Sequence, residues 1–209
     1  MHHRGILFGF NDFRNLIILC QKGFKETLAT NFIMEFIVAV SQNGVIGDSE
    51  RNTMLWNIPE DLSRFAKITR GQVVIMGHNT FQSLPNGKLK NRINIVLTRS
   101  PPPPPQSCEE KEDKDDLFFV DISRLWNLLI RFVDKKVFVI GGGSIYKLLY
   151  PFCSTVYYTL VDLEPVGDVM FPYSREWLRN NSESVDEGDW MISGSSGIQY
   201  KYITYNIKQ

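Results

Sequence analysis

The chain has 209 residues, 43% of them hydrophobic and 22% charged, and its 23 basic residues are matched by 23 acidic ones. That suffices for one domain with a sizeable core plus an appendage, and the charge balance argues against nucleic acid or an anionic membrane as the main partner. The three scattered cysteines (Cys20, Cys108, Cys153) and three histidines, two of them at the extreme N-terminus, favour a reducing compartment and no metal site, and no apolar run is long enough to span a membrane.

Residues 1–33 stand apart. Arg14, Lys22 and Lys25 interleave with Asp12 and Glu26 around a short apolar run at 16–20. The reading adopted is a dispensable extension, with Met34 as the functional start and a cytoplasmic location. A mitochondrial-type targeting segment is the alternative, weakened by the two acids. From Phe36 the texture changes. "FIVAV" (36–40) is a β-branched run that predicts a buried strand. "SQNGVIGDSERNT" (41–53) reads as a long flexible loop. "MLWNIPEDLSRFAKIT" (54–69) predicts an amphipathic helix with Asn57 as cap and Pro59 in the first turn. Asp61, Phe65, Ile68 and Thr69 share one face of it. An acid on an apolar face has two readings. It is a first-turn carboxylate that favours the helix dipole, or it serves a site; Trp56, just before it, looks exposed.

Further buried strands are predicted at "VVIMG" (73–77), "INIVLT" (93–98), "FFV" (118–120), "KVFVIGG" (136–142) and "TVYYTLVD" (155–162). Helices are expected from "HNTFQSL", from the segment carrying Leu125, Leu128, Leu129 and Phe132, and from "SIYKLLYPF". "GIQYKYITYNI" (197–207) alternates apolar and polar residues like a strand at a sheet edge. The pattern predicts an α/β fold: a mixed, mainly parallel central sheet with an antiparallel C-terminal edge and helices on both faces. A proline run followed by an acidic stretch (100–116) reads as a solvated surface insert, with a partner motif as the alternative.

Gly77 and the Gly141–Gly143 run each end an apolar strand and open a helix. Such elbows direct backbone N–H groups outward and suit phosphates, although most strand-end glycines are only tight turns. "GGGSIY" is not the dinucleotide fingerprint, because Tyr146 stands where the third glycine belongs. Thr98 and Arg99, just past another strand, pair a hydroxyl with a guanidinium. That combination suits a phosphate monoester and favours NADP over NAD; a solvated strand-end arginine is the plain alternative.

Taken together, "FIVAVSQNGVIG", "LWNIPEDLSRFAKIT", "VIMGHNTFQSL", "RINIVLTR", "VIGGGSIYKLL", "VYYTLVD" and "GDVMFP" closely resemble dihydrofolate reductase, over residues 36–209 and in the family's order. The resemblance implies a catalytic domain over 34–209 in the single-function form, reducing 7,8-dihydrofolate with NADPH for one-carbon metabolism. It also implies inhibition by antifolates such as methotrexate; a monomer is expected. Asp61 matches the family's buried active-site carboxylate, with Trp56 beside it, Thr159 bridging to it, and Tyr146 as a further catalytic position. Ile37, Val38, Leu62, Phe65, Leu84 and Ile140 match the substrate pocket, and Arg92 matches the arginine that pairs with the substrate's glutamate carboxylate. Ala39, Ile46, Gly47, Gly77, His78, Asn79, Thr80, Leu97, Thr98, Arg99 and Ile140 match cofactor contacts. So do Gly141, Gly142, Gly143, Ser144, Ile145 and Tyr146, with a cis peptide joining Gly141 and Gly142. The loop between Ile46 and Trp56 matches one that closes over the active site.

A carboxylate among apolar neighbours holds its proton to higher pH and can support protonation of the substrate's N5, directly or through a water. Three features depart from the family pattern, one being an active-site loop, "DSERNT", about two residues longer than in bacterial members. His78 stands where the family usually has Arg or Lys, and "NGKLKNR" lacks the Pro-Gly commonly found before the arginine. A riboflavin-pathway reductase of the same fold and a non-catalytic binding protein are the rival readings. Asp61 followed by Phe65 with Arg92 downstream argues against the first, and the intact set of Trp56, Asp61, Arg92, Tyr146 and Thr159 argues against the second.

Overall fold

Runs of Val, Ile and Phe that carry no polar face end up in the middle of one large sheet. The computed structural model describes residues 33–100 and 116–208, and two units divide at Ile33 and Met34. The expectations for the N-terminal extension and for most of the Pro/acidic insert lie outside the described residues. In chain order the elements are β1 (Met34–Ser41), β2 (Val45–Gly47), α1 (Pro59–Thr69), β3 (Val73–Gly77), α2 (His78–Ser83), β4 (Ile93–Leu97) and β5 (Leu117–Val120). Then come α3 (Ile122–Leu129), β6 (Val137–Gly141), α4 (Gly143–Leu149), β7 (Cys153–Val161) and β8 (Val169–Met170). The last are α5 (Arg175–Asn180), β9 (Ser182–Glu187), β10 (Met191–Ile192) and β11 (Gln199–Ile207). Among the described residues no helix is long and apolar enough to cross a membrane.

The sheet order is β10-β11-β7-β1-β6-β3-β4-β5, with β9 also pairing with β11. Strands from β7 to β5 run parallel, and β11 lies antiparallel to β7, β9 and β10. The expected mixed sheet with an antiparallel C-terminal edge is therefore present. β3 is buried along its whole length because helices cover both faces. On one face α1 lays Phe65 and Ile68 over Ile37, Val74, Met76, Val96 and Phe138. On the other, Tyr146 of α4 packs on Phe36 with ring centroids 5.2 Å apart. Phe36 and Phe138 are fully buried, each contributing about 1.5–3 kcal/mol to the core.

Three local expectations change. The helix begins at Pro59 with Ile58, not Asn57, in the capping position, and no side chain caps it. Proline holds the residue before it extended, which fixes Ile58 as the last non-helical residue. Trp56 is buried, 9% exposed, against Ile58, Val161 and Tyr200; its lack of periodicity hid that. The segment after β1 is not a structureless loop, since it forms β2, which pairs with β8. Ser49 adds a backbone N–H at 2.7 Å and its hydroxyl to the Asp168 carboxylate. Glycines and acids around Val45 and Ile46 concealed a strand whose partner lies over a hundred residues away in the chain.

Candidate active site

The carboxyl ends of β1, β6, β3 and β4 lie side by side, and the two glycine elbows, His78, Thr98 and Arg99 gather there. Parallel pairing sets Met76 opposite Gly141 and Gly77 opposite Leu97. The two glycine elbows are consequently neighbours: a Cβ on Gly77 would lie 3.0 Å from Ile145 Cγ1 and 3.9 Å from the Gly142 nitrogen. The Gly141–Gly142 peptide is cis, and Gly141 has φ +134, a conformation that L side chains rarely adopt. Neither α2 nor α4 has a side-chain cap, so their first N–H groups carry no side-chain acceptor. Thr98 and exposed Arg99 follow directly from β4, and Arg99 makes no ion pair among the described residues. His78, Asn79 and Ser144 are exposed along the same edge, with Thr80, Gly142, Gly143 and Ile145 half-buried. Uncapped helix N–H groups, close glycine backbone and the Arg99 guanidinium form a surface that fits a phosphorylated dinucleotide.

Gly143 shows how tight the elbow is. A Cβ there would sit 2.5 Å from the carbonyl oxygen of Met170 on β8. Gly143→Ala is expected to cost about 1–3 kcal/mol, because a backbone group must move. Denaturant unfolding checks this, and a variant as stable as the parent contradicts the packing described.

Beside the elbows, α1 presents Asp61, Phe65 and Ile68 to the sheet. A pocket lined by Met54, Trp56, Ile58, Asp61 and Leu62 opens there, and Leu62 and Met54 are half-exposed at its mouth. The Thr159 hydroxyl donates to Asp61 Oδ1 at 2.6 Å. Thr159 itself is buried in the middle of β7, between Ala39 of β1 and Tyr202 of β11. A hydrogen bond to a charged acceptor contributes about 1.5–3 kcal/mol and fixes the carboxylate's orientation. Burial pushes the Asp61 carboxyl above its ordinary range, while Thr159 and the Arg64 charge pull it partly back. Asp61 faces the sheet and lines the pocket. The first-turn acid tied to another loop is Glu60, which accepts from Gly194 N and Ser193 Oγ, both at 2.9 Å. Trp56 Nε1 is buried and has no hydrogen-bond partner among the described residues.

Ile37 and Ala39 face α1, whereas Val38 alternates to the other side, so its backbone is the part within reach of the pocket. Ile140 and Leu84 are half-buried against the same apolar cluster. Tyr146 is fully buried, and its hydroxyl donates to the Ile37 carbonyl at 2.7 Å. That bond ties α4 to β1 behind the site. Burial alone drives its phenol far above the ordinary value, so it stays protonated and donating. Ile46 and Gly47 lie on β2, held by β8.

Arg92 lies at the far end of α1. Its Nε donates to Thr69 Oγ1 at 2.9 Å, Nη1 to Lys90 O at 2.9 Å and Nη2 to Ala66 O at 3.1 Å. Two of the five guanidinium N–H bonds are left over, one on each terminal nitrogen. Burial, then the Arg70 charge, pushes its pKa down, and it has no counter-ion among the described residues. The turn that sequence reasoning found unusual is organised by Asn94, whose fully buried amide bonds Leu89 N and O at 2.9 Å and Arg92 O at 3.0 Å. Arg64 and Tyr202 also border Asp61, and Tyr157 borders Arg64; none of the three was anticipated. Arg64 carried a signal, since it lies one turn past Asp61 on the same helix face.

An α/β sheet with ligand-ready groups at its parallel carboxyl ends and a half-buried acid on the adjoining helix defines a nucleotide-dependent enzyme of the open-sheet class. Residues 33–206 match the family model for dihydrofolate reductase. The dihydrofolate reductase of Bacillus subtilis is 32% identical over 184 residues, covering 84% of this chain and 95% of that protein. That of Mycobacterium leprae is 33% identical over 180 residues, covering 83% and 98%. Dihydrofolate reductase type 1 of Escherichia coli is 34% identical over 169 residues, covering 81% and 95%. In fold, the chain is similar to dihydrofolate reductase from Enterococcus faecalis complexed with NADP(H) and RAB-propyl, with a TM-score of 0.61 and 23% identity, covering 85% and 97%. The chain belongs to the dihydrofolate reductase family.

Proposed function

We infer that this chain reduces dihydrofolate to tetrahydrofolate with NADPH, with hydride going to C6 and a proton to N5 of the substrate. The observation that carries the assignment of roles is the half-buried Asp61 carboxylate held by Thr159 at 2.6 Å inside an apolar pocket. Bound NADPH supplies the hydride. Asp61 binds the pterin ring through its carboxylate oxygens and, with its proton held to higher pH than usual, supports protonation at N5 directly or through a water. Thr159 fixes the acid's orientation, and the Trp56 N–H is a free donor beside it. Ile37, Leu62, Phe65, Leu84 and Ile140 enclose the substrate's rings and exclude water. Arg92 takes the substrate's glutamate carboxylate on its two remaining N–H groups, so that remote binding energy orients the reacting ring. Tyr146 positions β1 through the Ile37 carbonyl. The elbow residues, Ala39, the β2 residues and the Thr98–Arg99 pair hold the cofactor.

The assay is NADPH oxidation by the full-length chain on addition of dihydrofolate, with methotrexate as inhibitor. Turnover that methotrexate blocks supports the reading; no turnover with dihydrofolate and no methotrexate binding rejects it. Turnover with the aminopyrimidine substrate of a riboflavin-pathway reductase instead favours that rival. A cytoplasmic site of action rests on the cysteine pattern and the bacterial relatives. Comparing full-length chain with one starting at Met34 tests it, since relocation on removing residues 1–33 contradicts it.

His78 opens α2 on the cofactor edge, beside Thr98 and Arg99. His78→Arg puts a permanent cation on that edge and is expected to tighten NADPH binding. Equal NADPH affinity in parent and variant removes position 78 from phosphate binding.

A further inference from the structure

We propose that Arg64 is a positioning residue that supplies the fixed positive charge against which Asp61 gains and loses its proton, a role that rests on the reading of Asp61 given above. The geometry is unusual for a helix arginine. Its guanidinium carbon lies 4.1 Å from the centroid of the Tyr202 ring and 5.7 Å from that of Tyr157. These rings come from β11 and β7: Tyr202 is the register partner of Thr159, and Tyr157 lies two residues before Thr159. Ring faces attract a cation but do not neutralise it. Arg64 Nη1 is buried with no hydrogen-bond partner among the described residues. The full charge is therefore held in the low-dielectric seam between α1 and the sheet, one helical turn from Asp61.

Among the described residues the neighbouring carboxylates have partners of their own. On α1, Glu60 is turned away to Ser193 and Gly194. On β1, Glu35 pairs with Lys136, the residue before β6, at 2.8 Å and also reaches Tyr157. From β7 the facing groups are Tyr157 and the Thr159 hydroxyl, and from β11 they are Tyr200 and Tyr202. Burial and the Asp61 charge drive the Tyr202 phenol up, so that ring stays neutral across the working range. Asp61 thus sits between burial, which favours its neutral form, and Arg64, which favours its ionised form. A purely structural arginine would staple α1 to the sheet by its stem and ring contacts and leave the proton on Asp61 unaffected.

The test uses the full-length protein and Arg64→Met, which keeps the volume and removes the charge. Arg64→Lys keeps the charge, and Arg64→Gln gives a second neutral variant if methionine fails to fold. Asp61 is titrated directly by carbon NMR of labelled aspartate carboxyls, its signal assigned by its loss in Asp61→Asn. Single-turnover hydride transfer is followed over the same pH range. In the neutral variants the Asp61 midpoint is expected to move to higher pH, and the rate at alkaline pH to be about tenfold larger as a fraction of its acid plateau. Arg64→Lys is expected to restore the parent behaviour. An unmoved midpoint in the neutral variants, or a lysine variant that moves as far as they do, overturns the proposal. A moved midpoint with an unchanged rate profile supports the coupling to Arg64 and instead removes Asp61 from the chemistry.

Discussion

Asp61→Asn is expected to lower turnover at neutral pH by about a hundred- to ten-thousand-fold, the usual span for a lost general acid. Asparagine keeps an oxygen for the Thr159 hydroxyl, so the local geometry survives while the ability to hold a proton is lost. Part of the rate is expected to return in acid, where solvent protonates the substrate. Full neutral-pH activity in the variant contradicts the role. Stability moves the other way. Burial raises the Asp61 pKa in the folded state above its unfolded value. The ionised carboxylate therefore costs stability: not below the unfolded pKa, increasingly as pH rises through the folded pKa, and fully above it. The asparagine variant should unfold at a higher temperature than the parent at neutral pH and lose that advantage in acid. An advantage independent of pH contradicts burial as the cause.

Arg92→Leu is expected to raise the KM for dihydrofolate about a hundredfold, the size of a lost pair of charge-assisted hydrogen bonds. The guanidinium has three of its N–H groups engaged by Thr69, Lys90 and Ala66, which aim the other two at one place. A dihydropterin without the glutamate tail separates recognition from scaffolding. If Arg92 serves the carboxylate, parent and variant handle the tailless substrate alike. An equal loss on both substrates means that Arg92 only ties the end of α1 to its loop.

The parallel centre of the sheet was legible in the sequence because strands buried on both faces must be continuously apolar, as "VVIMG" is. The sheet-facing side of α1 was legible from its 3.6-residue period, which placed Asp61 with Phe65 and Ile68. β2, β8, β9 and β10 were not, since short strands among polar residues exist only because a distant partner lies beside them. Trp56 lies outside any periodic element, so its burial depends on strands β7 and β11 that local pattern cannot place. The surroundings of Arg64 were hidden for the same reason: one ring comes from Tyr157 and the other from Tyr202, forty-five residues apart in the chain and adjacent across two paired strands. The turn before Arg92 was legible only as a departure, because the buried Asn94 amide that shapes it lies downstream of the arginine.

The central claim is that the pocket at Asp61 and the elbows at Gly77 and Gly141 bring one dihydrofolate and one NADPH together for direct hydride transfer. The measurement is a single turnover of the full-length protein with NADPH carrying deuterium on the transferable position of nicotinamide C4, followed by NMR of the product. Deuterium at C6 of tetrahydrofolate, with the N5 proton drawn from solvent, is the predicted result. Product without deuterium at C6, or no product at all, contradicts it.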